Sequence, residues 1–292
     1  MDTFAPLHHR RTVDIPAGTI GVREAGQGEP VLFIHGVVAN GVAWRNVVRP
    51  LSRRARCIAP DWPLGSHQPA LPSADLTLPG LARMVVDVLD ALGLDEAVVV
   101  GNGYGGDIAQ VVAAEYPHRV KALVLAATNA FDSDPAPTKV LRGLTAVRGA
   151  GKLQALAMRS RLMQRQWFTY GGVTKRAIPP DVMQSYLTPL WRDRLVRNDF
   201  RRFMAGLSPR YLAEYSPRLA DFERPALLVW PTEERFFPAA NTRRLAEIMG
   251  NARLVTVDDC YSWIPEDQPA VFADLLDDFL SALRPAKRGC TP

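Results

Sequence analysis

The chain is predicted to fold as an α/β protein: a mostly parallel central sheet, helices on both of its faces, and an all-helical cap inserted between two parts of the sheet. Three observations predict this. Short uninterrupted apolar runs recur, such as Val31-Leu32-Phe33-Ile34, Ala97-Val98-Val99-Val100 and Leu227-Leu228-Val229; runs of that length suit strands covered on both faces. Amphipathic helical patterns alternate with those runs, which places helices against a parallel sheet. From about Ala130 to Arg224 the strand pattern stops, and the segment is helical and rich in Trp, Arg and Met.

Taken in order, Thr12–Ile15 and Thr19–Arg23 read as a hairpin turning at Pro16-Ala17-Gly18. Val31–Ile34 is a buried strand followed by His35-Gly36, Trp44–Ser52 a helix, and Arg56–Pro60 a strand leading into Asp61-Trp62-Pro63-Leu64-Gly65-Ser66-His67. Leu81, Met84, Val85, Val88, Leu89 and Leu92 keep helical spacing, and Gly93 closes that helix. Ala97–Val100 runs into a glycine cluster, after which Ile108, Val111 and Val112 mark a helix from Tyr104 to near Tyr116-Pro117. Leu123–Leu125 is the next strand. After the helical stretch come the strand Leu227–Val229, a helix over Asn241–Met249, the strand Arg253–Val257 and a last helix with Phe272, Leu275, Leu276, Phe279 and Leu280 on one face. The sheet domain is therefore expected to comprise residues 1–130 and 225–292, and the helical cap residues 131–224.

Composition excludes several functions. The 292 residues are 47% hydrophobic and 22% charged, an ordinary globular balance with length for a large core. Cys57, Cys260 and Cys290 are scattered without metal spacing, which points to a reducing cytoplasm. Met1–Arg11 shows no signal-peptide pattern and no apolar run approaches about 18 residues, so no membrane partner is expected. A net charge of +5 without a nucleic-acid motif gives no reason to expect nucleic acid. The expected partner is a small-molecule or modified-peptide substrate, bound by a monomer or homodimer without metal or organic cofactor.

The chemistry turns on Gly101-Asn102-Gly103-Tyr104-Gly105-Gly106. Between a buried strand and a helix, such a cluster makes a tight turn whose apex residue and first helical N–H groups face open space above the sheet. Two motifs fit. Gly101, Gly103 and Gly106 match the dinucleotide fingerprint Gly-x-Gly-x-x-Gly. That motif should follow the first strand of its fold and be answered by an acid about 20 residues on, closing the next strand. Here strand–helix units precede it, and Leu123–Leu125 ends in Ala126-Ala127-Thr128-Asn129. The other motif is a nucleophile elbow, with Gly103 at its apex.

The order of motifs resembles the α/β-hydrolase superfamily over nearly the whole chain. The residues that carry it are His35-Gly36, Asp61-x-x-x-Gly65, the elbow at 101–106, Tyr116-Pro117-His118-Arg119-Val120, the acid loop Trp230–Pro238, and Pro265-Glu266-Asp267-Gln268-Pro269. The core is more similar to epoxide hydrolases and haloalkane dehalogenases than to esterases, and the helical insertion sits where that family places its cap. The resemblance implies a nucleophile, a histidine and an acid. The corresponding positions hold Gly103, Ser262 and Glu234. Glycine forms no covalent intermediate, and serine without a base is a poor proton acceptor. The oxyanion donors are implied to be the main-chain N–H groups of Val37 and Tyr104, which need no side chain; one such donor is worth about 3 kcal/mol of barrier.

Three readings follow. The first is a non-hydrolytic enzyme of the epimerase, cyclase or isomerase type, which polarises a carbonyl. Here the sequence resembles the triad-lacking branch of this fold found in natural-product pathways, of which the bottromycin epimerase is an example. The second is a hydrolase of the epoxide, ester or halide class that uses relocated residues such as Glu234 or His67. The third is a non-catalytic binding module. Val37, Tyr104, Glu234 and His67 are the candidate catalytic residues, and His35, Gly36, Gly103, Trp167, Ser262 and Trp263 the candidate substrate contacts. His35 also fits a packing role under the oxyanion loop, and Asp61 and Asp107 fit structural roles. Asn129 and Asp132 stand where some relatives place a substitute acid or amide, but find no histidine to orient. Nine basic residues and no acid lie between Lys139 and Arg176, which suggests a positive lid for an anionic substrate. Trp167, Phe168, Tyr170, Trp191, Phe200 and Phe203 are candidates for an apolar ceiling.

Overall fold

The computed structural model describes residue 4, residues 6–147, residue 149 and residues 151–283. Cys290, Arg148 and the last nine residues of the expected second sheet segment lie outside the described residues.

β1 (Arg10–Ile15) and β2 (Gly18–Ala25) form the antiparallel hairpin, with Val13 opposite Ile20. β3 (Glu29–Ile34) leads through a short 3-10 turn into α1 (Arg45–Leu51), and β4 (Ala55–Pro60) follows. α2 (Leu78–Ala91) starts where the Thr77 hydroxyl accepts from Gly80 N–H and ends at Gly93, whose φ of +66° glycine supplies without strain. Next come β5 (Ala97–Asn102), α3 (Tyr104–Glu115) and β6 (Val120–Ala126). Among the described residues seven helices then run without a strand: α4 (Ala136–Ala146), α5 (Gly151–Ala157), α6 (Arg161–Gln164), α7 (Tyr170–Val173), α8 (Pro180–Arg192), α9 (Arg194–Gly206) and α10 (Pro209–Arg218). The chain closes with β7 (Ala226–Pro231), α11 (Ala239–Ile248), β8 (Ala252–Val257), α12 (Ile264–Asp267) and α13 (Pro269–Ala282).

The strands make one eight-stranded sheet in the order β1-β2-β4-β3-β5-β6-β7-β8. Every pairing from β4 to β8 is parallel, and only the β1–β2 and β2–β4 pairings are antiparallel. After β3 the chain steps outward to β4 and then returns across β3 to β5. The strand order thus reverses at β3 and β5, and ligands of open α/β sheets bind outside the carboxyl ends of strands at such a switch. His35–Val38 and Asn102–Tyr104 leave the sheet there.

The core has two layers, one on each face of the sheet. Val99, Leu123 and Leu228 point into the first, with Leu81, Val85 and Ile108; Val98, Val124 and Val229 point into the second, with Val47, Phe272 and Leu276. Alternation along each strand puts neighbours on opposite faces, which is why uninterrupted apolar runs were needed. The inserted helices root in both layers: Phe200, Phe203 and Met204 join the first, and Tyr170, Met183 and Tyr186 the second.

One buried ion pair joins two distant elements. Arg45 and Glu266 meet in a two-pronged bridge, Nη1 to Oε2 at 2.8 Å and Nη2 to Oε1 at 2.6 Å, which ties the start of α1 to α12. Asp61 braces its loop as its sequence context suggests. It accepts from Gly41 N–H at 2.9 Å and from Arg10 Nε at 2.6 Å.

Candidate functional site

The site begins at the end of β5. Gly103 has φ +57° and ψ −126°, and α3 starts at the next residue. Close packing demands glycine nearby, since a Cβ on Gly105 would lie 1.9 Å from the carbonyl oxygen of Ile34. Gly103 differs: a Cβ there would meet nothing within 4 Å. Its side-chain direction opens into a cavity of about 870 Å³. Gly36, Val37, Val38, Asn102, Gly103, Tyr104, Ser262 and Trp263 line the sheet side of that cavity. Leu141, Met158, Phe168, Tyr170, Leu187 and Phe200 line it from the inserted helices.

Two main-chain donors flank Gly103. Tyr104 is the first residue of α3, so no carbonyl lies one helical turn below its N–H. Val37 sits between Gly36 and Val38, whose N–H is committed to Leu64 O at 2.9 Å, while the Val37 N–H meets no acceptor among the described residues. Both residues line the cavity. Val38 has φ +51°, a conformation costly for a β-branched residue. It is held by the Tyr170 hydroxyl, which donates to Val38 O at 2.7 Å. The Tyr104 side chain points toward the inserted helices, with its hydroxyl 2.8 Å from Thr138 Oγ1 and its ring edge-on to Phe203.

Ser262 faces the same space. Its hydroxyl donates to Glu234 Oε1 at 2.9 Å, and that oxygen also accepts from Phe236 N–H at 2.9 Å and Phe237 N–H at 3.2 Å. Glu234 Oε2 is buried and has no hydrogen-bond partner. Burial is the strongest influence on this carboxyl and raises its pKa above the ordinary value, outweighing the donors on Oε1. Asn102 sets the position of the serine loop: its Nδ2 donates to Ser262 O and to Ala126 O, both at 2.8 Å. The Trp263 ring stacks on Tyr170, with centroids 5.8 Å apart.

Val37, Gly36, Gly103, Tyr104, Ser262 and Trp263 therefore meet at the cavity, with Glu234 behind Ser262. Three candidates do not. His67 is not a catalytic group facing substrate: it is buried, away from the cavity, with Nε2 3.2 Å from Asp199 Oδ2. It joins the loop after β4 to α9. His35 is not a substrate contact. Its Nε2 accepts from Trp62 N–H at 2.9 Å, leaving Nδ1 to donate to Gly36 O at 2.8 Å. Burial lowers its pKa to about 4 and keeps the ring neutral, as the packing role requires. Trp167 lies outside the cavity, half exposed and edge-on to Phe168. Of the six aromatic residues considered for a ceiling, Phe168, Tyr170 and Phe200 line the cavity, whereas Phe203 is packed beneath Tyr104 and Trp191 lies between Arg159 and Arg192.

The positive lid is corrected in detail. Arg142 pairs with Asp134, Lys175 with Glu233 and Asp259, and Arg176 with Asp259. Among the described residues Lys152 is the member of that group on the cavity wall, and Arg194, Arg197 and Arg201 join it from α9. Asp107 is structural, accepting from Thr128 Oγ1 at 2.8 Å and Asn129 N–H at 3.2 Å, with burial pushing its pKa up to about 7. Sequence reasoning missed Asn102, and it placed Tyr170 in the apolar ceiling without the bond its hydroxyl makes to Val38. The partners of Tyr170 and Asn102 are 132 and 160 residues away, so no local pattern marked them.

The open space at Gly103 is directly testable. In a Cys290→Ser background, Gly103→Cys should be alkylated by iodoacetamide at one site per folded chain, because Cys57 and Cys260 are buried. A side chain at this positive φ is expected to cost about 1–2 kcal/mol of stability. Failure of the folded variant to react would show that the cavity is closed to small reagents.

The family described as "alpha/beta hydrolase fold" matches residues 29–269. Among curated proteins, the chain is 29% identical over 273 residues to 2-hydroxymuconate semialdehyde hydrolase of Pseudomonas sp. (strain CF600), covering 89% of each chain. It is 28% identical over 288 residues to cis-3-alkyl-4-alkyloxetan-2-one decarboxylase of Shewanella oneidensis, covering 91% of this chain and 86% of that protein. Among solved structures, haloalkane dehalogenase DbeA from Bradyrhizobium elkani USDA94 superposes with a TM-score of 0.78 at 19% identity, covering 94% of this chain and 98% of that one. At that identity the likeness concerns the fold. The family match spans most of the sequence and contains the elbow, the acid loop and the Ser262 loop: the chain belongs to the α/β-hydrolase fold family.

Proposed function

We propose that the protein is an enzyme that acts on a carbonyl-bearing small molecule without a covalent intermediate, moving a proton at the carbon beside the carbonyl. Epimerisation, isomerisation or cyclisation would be the outcome. The observation that carries this reading is the composition of the cavity floor: no side chain at Gly103, two main-chain donors beside it, and a serine–carboxylate pair opposite. Without a nucleophile at the elbow or an imidazole on the cavity wall, the family's covalent route has no attacking atom.

In this mechanism the substrate carbonyl oxygen accepts from Val37 N–H and Tyr104 N–H. Fixed donors and the positive end of α3 stabilise the negative charge that gathers on that oxygen as the enolate forms. The departing C–H proton passes to Ser262 Oγ while the Ser262 hydroxyl proton passes to Glu234 Oε1, so the serine ends neutral and Glu234 carries the proton. A carboxyl whose pKa is raised by burial is a better acceptor than an ordinary one. Return of the proton from Glu234 through Ser262 restores the site. Removal of the apex side chain also leaves room for a bulky substrate close to the donors.

A second reading is favoured by the relatives, several of which are named hydrolases. Here a water occupies the space beside Gly103, loses its proton through Ser262 to Glu234, and adds to the carbonyl held by the same donors. His67 takes no part in either route. Turnover in deuterated, ¹⁸O-labelled water separates the two. Deuterium at carbon with no ¹⁸O in the product supports proton transfer, ¹⁸O in a cleaved product supports hydrolysis, and binding without either isotope entering any product defeats both.

A further inference from the structure

Of the eight large apolar side chains exposed among the described residues, seven belong to the inserted segment between β6 and β7: Leu144, Val147, Leu153, Leu156, Leu162, Trp167 and Leu195. Leu153 and Leu162 are 70% and 72% exposed, so they protrude from the surface. Basic residues are set among them. Lys152 precedes Leu153, Arg161 precedes Leu162, Arg165 stands two before Trp167, and Arg194 precedes Leu195. These four are exposed, and the ion pairs of the region use Arg142, Lys175 and Arg176 instead. The surface adjoins the cavity through Leu144, Val147, Lys152 and Arg194, which both line it and reach solvent.

We propose that this surface docks on a lipid bilayer bearing anionic headgroups, with Leu153, Leu162 and Trp167 entering the boundary between headgroups and acyl chains. Exposed apolar side chains mixed with Lys and Arg are what such an interface accepts: the apolar groups leave water, and the long basic chains reach back to phosphate. A second copy of the chain fits poorly. A two-fold interface would set the same basic patch against itself, with no acid between Lys139 and Arg176 to answer it. An acidic protein partner would need a groove that receives its own apolar groups, whereas Leu153 and Leu162 stand out from the surface. The contact is peripheral, because among the described residues no helix is long and apolar enough to cross a membrane. The docked orientation turns the cavity mouth toward the lipid, so the continuous apolar lining from Leu144 and Val147 inward receives amphipathic molecules from the bilayer.

Co-sedimentation of the full chain with vesicles tests this. Vesicles of phosphatidylcholine alone are compared with vesicles in which a quarter of the lipid is phosphatidylglycerol. The expected result is binding about tenfold tighter to the anionic vesicles, weakening with salt. Arg161→Glu/Arg165→Glu/Arg194→Glu and Leu153→Ser/Leu162→Ser should each lose that binding with an unchanged circular dichroism spectrum. Arg53→Glu/Arg243→Glu/Arg253→Glu, which removes the same charge elsewhere, should retain most of it. No binding to either vesicle, equal binding to both, or equal loss in the control and patch variants would overturn the proposal. The first of these would leave an acidic protein as the occupant.

Discussion

Replacing Arg45 by alanine should destabilise the protein by about 3–5 kcal/mol, because Glu266 is left charged and buried without its partner. The bridge uses both prongs of the guanidinium at 2.8 and 2.6 Å, and both side chains are almost fully enclosed. Thermal unfolding should shift down by on the order of 10 °C for a chain of this size. The double variant Arg45→Met/Glu266→Leu should recover most of the loss, since it removes the desolvation cost together with the attraction. If the single and double variants melt together, the bridge is not what joins α1 to α12. If the single variant melts like the parent, water reaches the pair.

The second large effect is expected at Glu234. Glu234→Gln keeps the shape and an acceptor for Ser262 but cannot take up a proton, so turnover should fall by roughly 10² to 10⁴-fold with little change in substrate affinity. The parent enzyme should also show a rising pH limb. Glu234 must be ionised to accept the proton, and its pKa is raised by burial, so activity should climb with pH through a midpoint above the ordinary glutamate value. The stability linkage has the opposite sense. The folded state holds this proton more tightly than the unfolded chain, so the contribution is greatest at low pH and is lost as pH rises through the raised folded-state pKa. Ser262→Ala should reduce turnover and move the pH midpoint further up, because the hydroxyl no longer steadies the ionised Glu234 carboxylate. Full turnover by Glu234→Gln would show that the proton leaves by another path.

Much of this molecule was legible before its structure was known. The apolar runs and helical spacings locate the strands and helices because burial on both sheet faces leaves a continuous signal, and Gly101–Gly106 locates the elbow because few residues fit so close an approach. Glu234 and Ser262 were set at corresponding triad positions only by the resemblance to the α/β-hydrolase superfamily, and the structure places a hydrogen bond of 2.9 Å between them. What failed were single side chains whose surroundings are set from far away. His67 looked like a relocated catalytic residue, yet its partner Asp199 is 132 residues distant. Trp167 looked like a ceiling residue, but an aromatic in a helical stretch has no local mark that tells the inner face from the outer. The basic stretch from Lys139 to Arg176 looked uniform. Of its balancing acids, Asp134 lies just before it, while Glu233 and Asp259 come from the loops after β7 and β8.

Tyr170 carries one more consequence. Its hydroxyl reaches from α7 to the Val38 carbonyl, where the backbone is held at φ +51° beside one of the two proposed donors. Roof and floor are thus fastened at the loop that bears Val37. Were the helices above to swing outward, the loop bearing Val37 would lose its tether and relax, so an opened site would grip a developing oxyanion less well than a shut one. Letting the product go and switching off the chemistry would then be one movement.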